Sequence, residues 1–191
     1  CTAQALLAVT ASMYAVYHGP KGLTEIAEKI HERATAFAAG IEKAGLKVRH
    51  SNFFDTVVVE TGEVQEVVDK LAKAGYLVRP LEGAVAVSFG EDCSDEDLAA
   101  LAGAFGAEPG AASRRIPETL NRETDFLTHE TFNRFHSETQ MMRYIRELGD
   151  KDLALDRTMI PLGSCTMKLN PTAGLESITW PGFANVHPYT P

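Results

Sequence analysis

Between Leu46 and Phe105 the apolar residues switch repeatedly between a period of two and a helical period, and this alternation limits the fold more than any other feature. Leu46 to His50 and Thr56 to Glu60 are short, β-branched and bounded by Ser-Asn and Thr-Gly, so they predict strands. Val64, Val67, Val68 and Leu71 restore a helical spacing up to Gly75. Leu77 to Arg79 before Pro80, and Ala84 to Phe89, predict two further strands, the second with Val85, Val87 and Phe89 on one face. Ser94 followed by Asp95, Glu96 and Asp97 then caps a helix whose stripe is Leu98, Leu101 and Phe105. The order β, β, α, β, β, α implies a small α+β sandwich with helices on one side of a sheet.

A long helical entry precedes this unit. Residues 2–17 are rich in Ala and Leu and stop at Gly19-Pro20. A second helical run carries Ile26, Ile30, Ala34, Phe37 and Ile41 and closes at Gly45. After Ala107 the Pro, Gly, Ser and charge content is that of a linker, in which Arg114-Arg115 reads as a solvated pair. Ser137 with Gln140 is a capping box for a helix bearing Met141, Ile145 and Leu148. From Met159 onward turns prevail. Trp180-Pro181 and His187-Pro188-Tyr189 read either as rigid turns with an aromatic plug or as the lining of a pocket.

Composition excludes several functions. A formal net charge of -8 argues against a nucleic-acid surface, which needs a basic stripe to replace counterions. Three cysteines without C-x-x-C spacing give neither a disulfide framework nor a zinc knuckle. No stretch approaches the roughly 20 apolar residues of a membrane span, and no signal peptide is visible. A reducing, cytoplasmic setting is the expectation. The chain begins at Cys1 inside a helical run, so it is expected to be an excerpt of something longer.

The segment Met159 to Asn170 is the richest in chemistry. Gly163, Ser164, Cys165 and Thr166 offer N–H groups and hydroxyls that can cradle an anion, with Lys168 a nearby cation. A capped turn with an exposed lysine is the plainer reading. Cys165 as a nucleophile has only Lys168 and neighbouring N–H groups to activate it, and a single cysteine in a turn is more often packed. His129, His136 and His187 lack the spacing of a metal motif, so no metal is expected.

The words of the sequence carry more than its patterns. CTAQALLA (1–8), MYAVYHGPKGL (13–23), FFDTVVVE (53–60), the run from Phe126 to Ala173 and TWPGFANVHPYTP (179–191) resemble the glycine cleavage system P-proteins, over essentially the whole chain. The resemblance implies a pyridoxal-phosphate-dependent transferase of the aminotransferase-like fold (fold type I), built from two related halves. Residues 1–106 would be the connecting helix and small domain ending the first half, 107–135 the passage between halves in a single-chain form, and 136–191 the opening of the second, cofactor-carrying half. It implies a glycine dehydrogenase (aminomethyl-transferring), an oxidoreductase acting on a CH–NH2 donor with a disulfide acceptor. That activity releases carbon dioxide from glycine and passes the aminomethyl group to the lipoyl arm of the H-protein. A homodimer in the bacterial cytoplasm is implied, or the mitochondrial matrix for a eukaryotic source.

In the family the cofactor-anchoring lysine lies in a His-Lys-Thr context that this chain lacks, so Lys168 is not expected to be the anchor. Ser164, Cys165, Thr166 and Lys168 would instead reach the cofactor and substrate pocket, and the 191 residues alone are expected to be inert. The rival readings are a small-molecule-binding regulatory module and an assembly segment without chemistry of its own. The unbroken run from Phe126 to Ala173 favours the enzyme.

Overall fold

The computed structural model describes residues 3–151, 172–187 and 190. They form two compact units, residues 1–136 and 137–191.

The first unit is entered by α1 (Ala3–Lys43), two helical runs joined through one non-helical residue, Gly19. Pro20 follows at once, where it lacks the N–H that a continuous helix would need. The sheet contains β1 (Lys47–Val48), β2 (Thr56–Glu60), β3 (Arg79–Leu81) and β4 (Ala84–Ser88), all antiparallel in the order β1-β2-β4-β3. Helix α2 (Val64–Lys73) separates β2 from β3, and α3 (Asp95–Ala104) follows β4. The α+β sandwich expected from the periodicities is present.

One face of the sheet and one stripe of each helix make the core. Val57 pairs with Val87 and Val59 with Val85, so four branched side chains lie on one face. Phe37, Ala38 and Ile41 of α1, Leu71 of α2 and Leu101 of α3 close over them. Phe37 is fully buried, with ring centroids 5.4 Å from Phe89 and 5.8 Å from Phe105. The other face is polar at its margins, with Lys47 bound to Glu60 at 2.9 Å and Thr56 hydrogen-bonded to Ser88 at 2.8 Å.

Helix ends follow the sequence signals. Ser94 accepts from the Asp97 N–H while the Asp97 carboxylate accepts from the Ser94 N–H, a reciprocal capping box. The Ser94 hydroxyl and N–H, helped by the Tyr76 hydroxyl, hold the Asp97 carboxyl below the usual carboxylate range. At the far end of α1, the Leu46 N–H bonds to the Ile41 carbonyl and the Gly45 N–H to the Glu42 carbonyl, a Schellman closure. The same paired bonds end α2 and α3.

Two strands differ from expectation. The third is Arg79–Leu81 rather than 77–79, with Pro80 inside it opposite Val85. An edge strand has one unpaired side, so a residue without an N–H is tolerated there. The first shrinks to Lys47–Val48, although the Arg49 N–H still donates to the Val58 carbonyl at 2.8 Å.

The stretch from Ala107 to about Arg122 has the composition of a linker, but the chain from Ala107 to His136 runs as a strap along α1. The Gly110 N–H donates to the Ala36 carbonyl at 2.8 Å. Helical Gly40 lets the strap pass, since a Cβ there would lie 2.1 Å from the Glu108 carbonyl oxygen. The solvated reading holds for exposed Arg114, which bonds to Asn121, but is corrected for Arg115, a partly buried side chain bound to Glu42 at 2.7 Å. A strap held by backbone bonds brings its charged side chains onto fixed partners, which a free linker would not.

Gly40→Ala should raise intrinsic helix propensity by about 1 kcal/mol yet displace the strap. The expected outcome is tryptic cleavage at Arg114-Arg115 faster by roughly tenfold, with helix content by circular dichroism unchanged.

In the second unit α4 (Glu138–Gly149) starts at Ser137, whose hydroxyl accepts from the Gln140 N–H at 3.4 Å. The expected apolar stripe is uneven: Met141 is buried, whereas Ile145 is half exposed. Two short helices, α5 (Thr172–Glu176) and α6 (Pro181–Ala184), lie in the stretch expected to hold turns. Trp180 stands at the N-cap of α6 and is 52% exposed, its ring centroid 6.3 Å from that of Phe183.

Candidate functional site

The four candidates Ser164, Cys165, Thr166 and Lys168 lie outside the described residues. Among the described residues, several chemistry-bearing side chains gather in the first unit around the break in α1 and along the strap.

At the break, Gly19 has φ 62° and ψ -176°. Its missing side chain leaves room for the Phe132 carbonyl, 2.5 Å from where a Cβ would stand, and for the His136 ring at 2.8 Å. The break also frees the Tyr17 carbonyl, which accepts from the His136 Nδ1–H at 2.7 Å. A histidine at the carboxyl end of a helical run is favourably placed against the helix dipole. His136 is therefore a cap. His129 serves locally too, its Nδ1 accepting from the Thr131 N–H at 3.2 Å.

Next to the break, Tyr14 and Tyr17 flank the His18 ring at 4.4 and 5.2 Å. The Tyr14 hydroxyl donates to the Glu91 carboxylate, and that bond, with the carboxylate's charge and partial burial, pushes the phenol up to about 12. Such a phenol holds its proton and is poorly suited to act as a base at neutral pH.

An open cleft of about 740 Å³ lies beside the start of the second helical run of α1, lined by Pro20, Lys21, Thr24, Arg122, Phe126 and Asn133 among others. Its cations already have partners: Lys21 pairs with Glu25 at 3.7 Å, and Arg122 sits over the Phe126 ring at 5.1 Å. Cys93 is half-buried, and burial pushes its thiol up despite Arg33 nearby, the reverse of an activated nucleophile. No group of three or more His, Cys, Asp or Glu among the described residues is placed to hold a metal ion.

His31, which sequence reasoning passed over, is a buried polar side chain of α1. Its Nδ1–H donates to the Phe54 carbonyl at 2.8 Å, and its Nε2 accepts from the Arg115 N–H at 3.0 Å. The only signal in the sequence was its place beside the stripe of Ile26, Ile30, Ala34 and Phe37.

The lysines of the described residues do not fit an aldehyde cofactor. Lys21, Lys47 and Lys151 are exposed partners of carboxylates, and Lys70 donates to the Gly103 and Ala104 carbonyls at the end of α3. Lys29, Lys43 and Lys73 are exposed. None lines an enclosed cavity, so the described residues do not hold such a group by themselves.

Comparison with known proteins agrees with the sequence resemblance. A family model described as the glycine cleavage system P-protein matches residues 1–105. The glycine dehydrogenase (decarboxylating) of Stenotrophomonas maltophilia (strain R551-3) is 48% identical over 198 residues, covering 100% of this chain and 21% of that protein. Its namesake in Rhizobium johnstonii is 49% identical over 197 residues, and that in Vibrio parahaemolyticus 46% over 202, with the same coverage. This chain thus spans about a fifth of the length of these relatives, and the similarity runs through the segment holding Ser164 to Lys168. The chain belongs to the glycine cleavage system P-protein family.

Proposed function

We propose that these 191 residues are part of a pyridoxal-phosphate-dependent glycine decarboxylase of fold type I. The longer polypeptide would release carbon dioxide from glycine and transfer the aminomethyl group to the lipoyl arm of the H-protein. The observation that carries this reading is similarity across the whole chain to relatives named glycine dehydrogenase (decarboxylating). The cofactor supplies the electron sink; the protein supplies binding and orientation. A homodimer in the bacterial cytoplasm completes the proposal.

Within that polypeptide, residues 1–106 would end the first half and 136–191 would open the second, with 107–135 passing between them. The division into compact units at residues 136 and 137 is compatible with this placement. Ser164 and Thr166 would donate hydrogen bonds to an anionic group of cofactor or substrate, with Lys168 a nearby charge and Cys165 at the same turn.

The test uses the full-length protein with its lipoylated carrier: exchange of labelled bicarbonate into the carboxyl group of glycine. The expected outcome is exchange that depends on both pyridoxal phosphate and glycine. Its absence from folded, cofactor-loaded protein would sink the proposal. Replacing Ser164 and Thr166 together by Ala should cost on the order of a hundredfold in exchange rate if they hold an anion. Unchanged kinetics would remove them from the site.

A second role is favoured by one observation. Leu6, Leu7 and Val9 at the start of α1, and Ile178, Trp180 and Phe183 in the second unit, are large apolar residues more than half exposed. Surfaces of this kind mark packing sites. The described residues would then act chiefly as scaffold within the longer protein.

A further inference from the structure

The strap is held to α1 by two histidines that use their ring nitrogens differently. At His136, Nδ1 donates to the Tyr17 carbonyl. Nδ1 carries a hydrogen in the neutral tautomer that makes this bond and in the imidazolium, so adding a proton preserves it. At His31 both nitrogens are engaged. Nδ1–H donates to the Phe54 carbonyl, and Nε2 must present a bare lone pair to the Arg115 N–H. Only one neutral tautomer satisfies both partners.

We propose that His31 is a proton-sensitive latch for the strap. A proton added at Nε2 turns the acceptor into a donor aimed at another donor, and the bond to the Arg115 N–H is lost. The His31 ring is 8% exposed, with the Phe54 ring stacked at 6.1 Å and the Phe53 ring at 6.2 Å.

The charged groups of the strap and of the segment before β2 are bound to other partners. On the strap, Arg115 is bound to Glu42 of α1 and Arg114 to Asn121. Before β2, the Asp55 carboxylate accepts from the Thr56 hydroxyl at 3.0 Å. On α1 itself, exposed Glu28 stands one turn before His31 on the same face, with exposed Lys29 and Glu32 to either side. None of these accepts a hydrogen bond from Nε2 in the latched form. Acidification thus opens the strap around Arg115 and leaves its end at Phe132 to His136 in place.

The test is hydrogen–deuterium exchange on the full-length protein at about pH 7.5 and about pH 5.5, corrected for intrinsic exchange rates. Protection of amides in 110–118 is expected to fall about tenfold at the lower pH, the loss of one hydrogen bond, while 130–136 keeps its protection. In H31Q the side-chain amide supplies a donor and an acceptor without titrating, and the fall should vanish. Unchanged protection of 110–118 in the wild type would overturn the proposal. So would an equal fall in both segments, or the same fall in H31Q. Should H31Q not fold, the slow exchange of the His31 ring C–H, read by mass spectrometry, replaces it. Its midpoint must coincide with the opening of 110–118, and separate midpoints overturn the latch.

Discussion

Phe37→Ala should destabilise the first unit by about 3–5 kcal/mol, the range for truncating a buried aromatic side chain. Phe37 has no exposed surface and lies between Phe89 at the end of β4 and Phe105 at the end of α3. Removing it leaves a void bordered by three elements: one helix stripe, the sheet, and the turn that closes α3. Those borders are themselves fixed, Phe89 through its N–H to the Asp55 carbonyl and Phe105 through its N–H to the Ala102 carbonyl. The site is therefore poorly able to collapse, which places the cost high in the range. Urea unfolding of the 191-residue chain followed by circular dichroism measures it. A loss below about 1 kcal/mol would mean that α1 is not packed on this sheet as described.

The second large effect is expected at the break in α1. Gly19→Ala puts a side chain at φ 62° and ψ -176°, a region that L-residues avoid at a cost of about 1–3 kcal/mol. The added Cβ also meets the Phe132 carbonyl and the His136 ring. Both penalties are relieved if Phe132 to His136 leaves the helix and α1 straightens. That relief gives up the bond from His136 to the Tyr17 carbonyl. The expected result is a total loss of roughly 3 kcal/mol, and raised amide exchange over 130–136. His136→Ala removes the cap without the backbone strain and should cost about 1 kcal/mol. Equal losses in the two variants would show that strain at Gly19 contributes nothing.

These two sites differ in how far the sequence announced them. Phe37 stands in a helical stripe with Ile30, Ala34 and Ile41, and a stripe of that kind names its own core. Gly19-Pro20 announced a helix end, and the chain does break there. The second helical run beyond it was legible too; what was hidden is that Phe132 and His136, more than a hundred residues away in sequence, pack into the break. The strap was illegible for the same reason. Its composition is that of a linker; Gly110 is tied to Ala36 through backbone groups, which carry no residue-type signal, and Arg115 is tied through its N–H to the ring of His31, 84 residues away in sequence.

Pro80 misled for a local reason. It marks a strand end in a central strand but is tolerated inside an edge strand, and the edge position is a property of the sheet rather than of the segment. Family membership, by contrast, was legible in whole phrases. The site that those phrases imply, Ser164 to Lys168, falls outside the described residues, and the groups described above are the His136 cap, the hydrogen-bonded His31 and a cleft whose cations are paired.

On the proposed function, these residues belong to a pyridoxal-phosphate enzyme whose anchoring lysine lies elsewhere in the polypeptide. Borohydride reduction of the full-length, cofactor-loaded protein, followed by peptide mapping, tests it directly. The expected result is one pyridoxyl-lysine, protected by glycine, in a peptide outside residues 1–191. A stoichiometric adduct on Lys168 or on any other lysine of this chain, or no adduct at all, would contradict it.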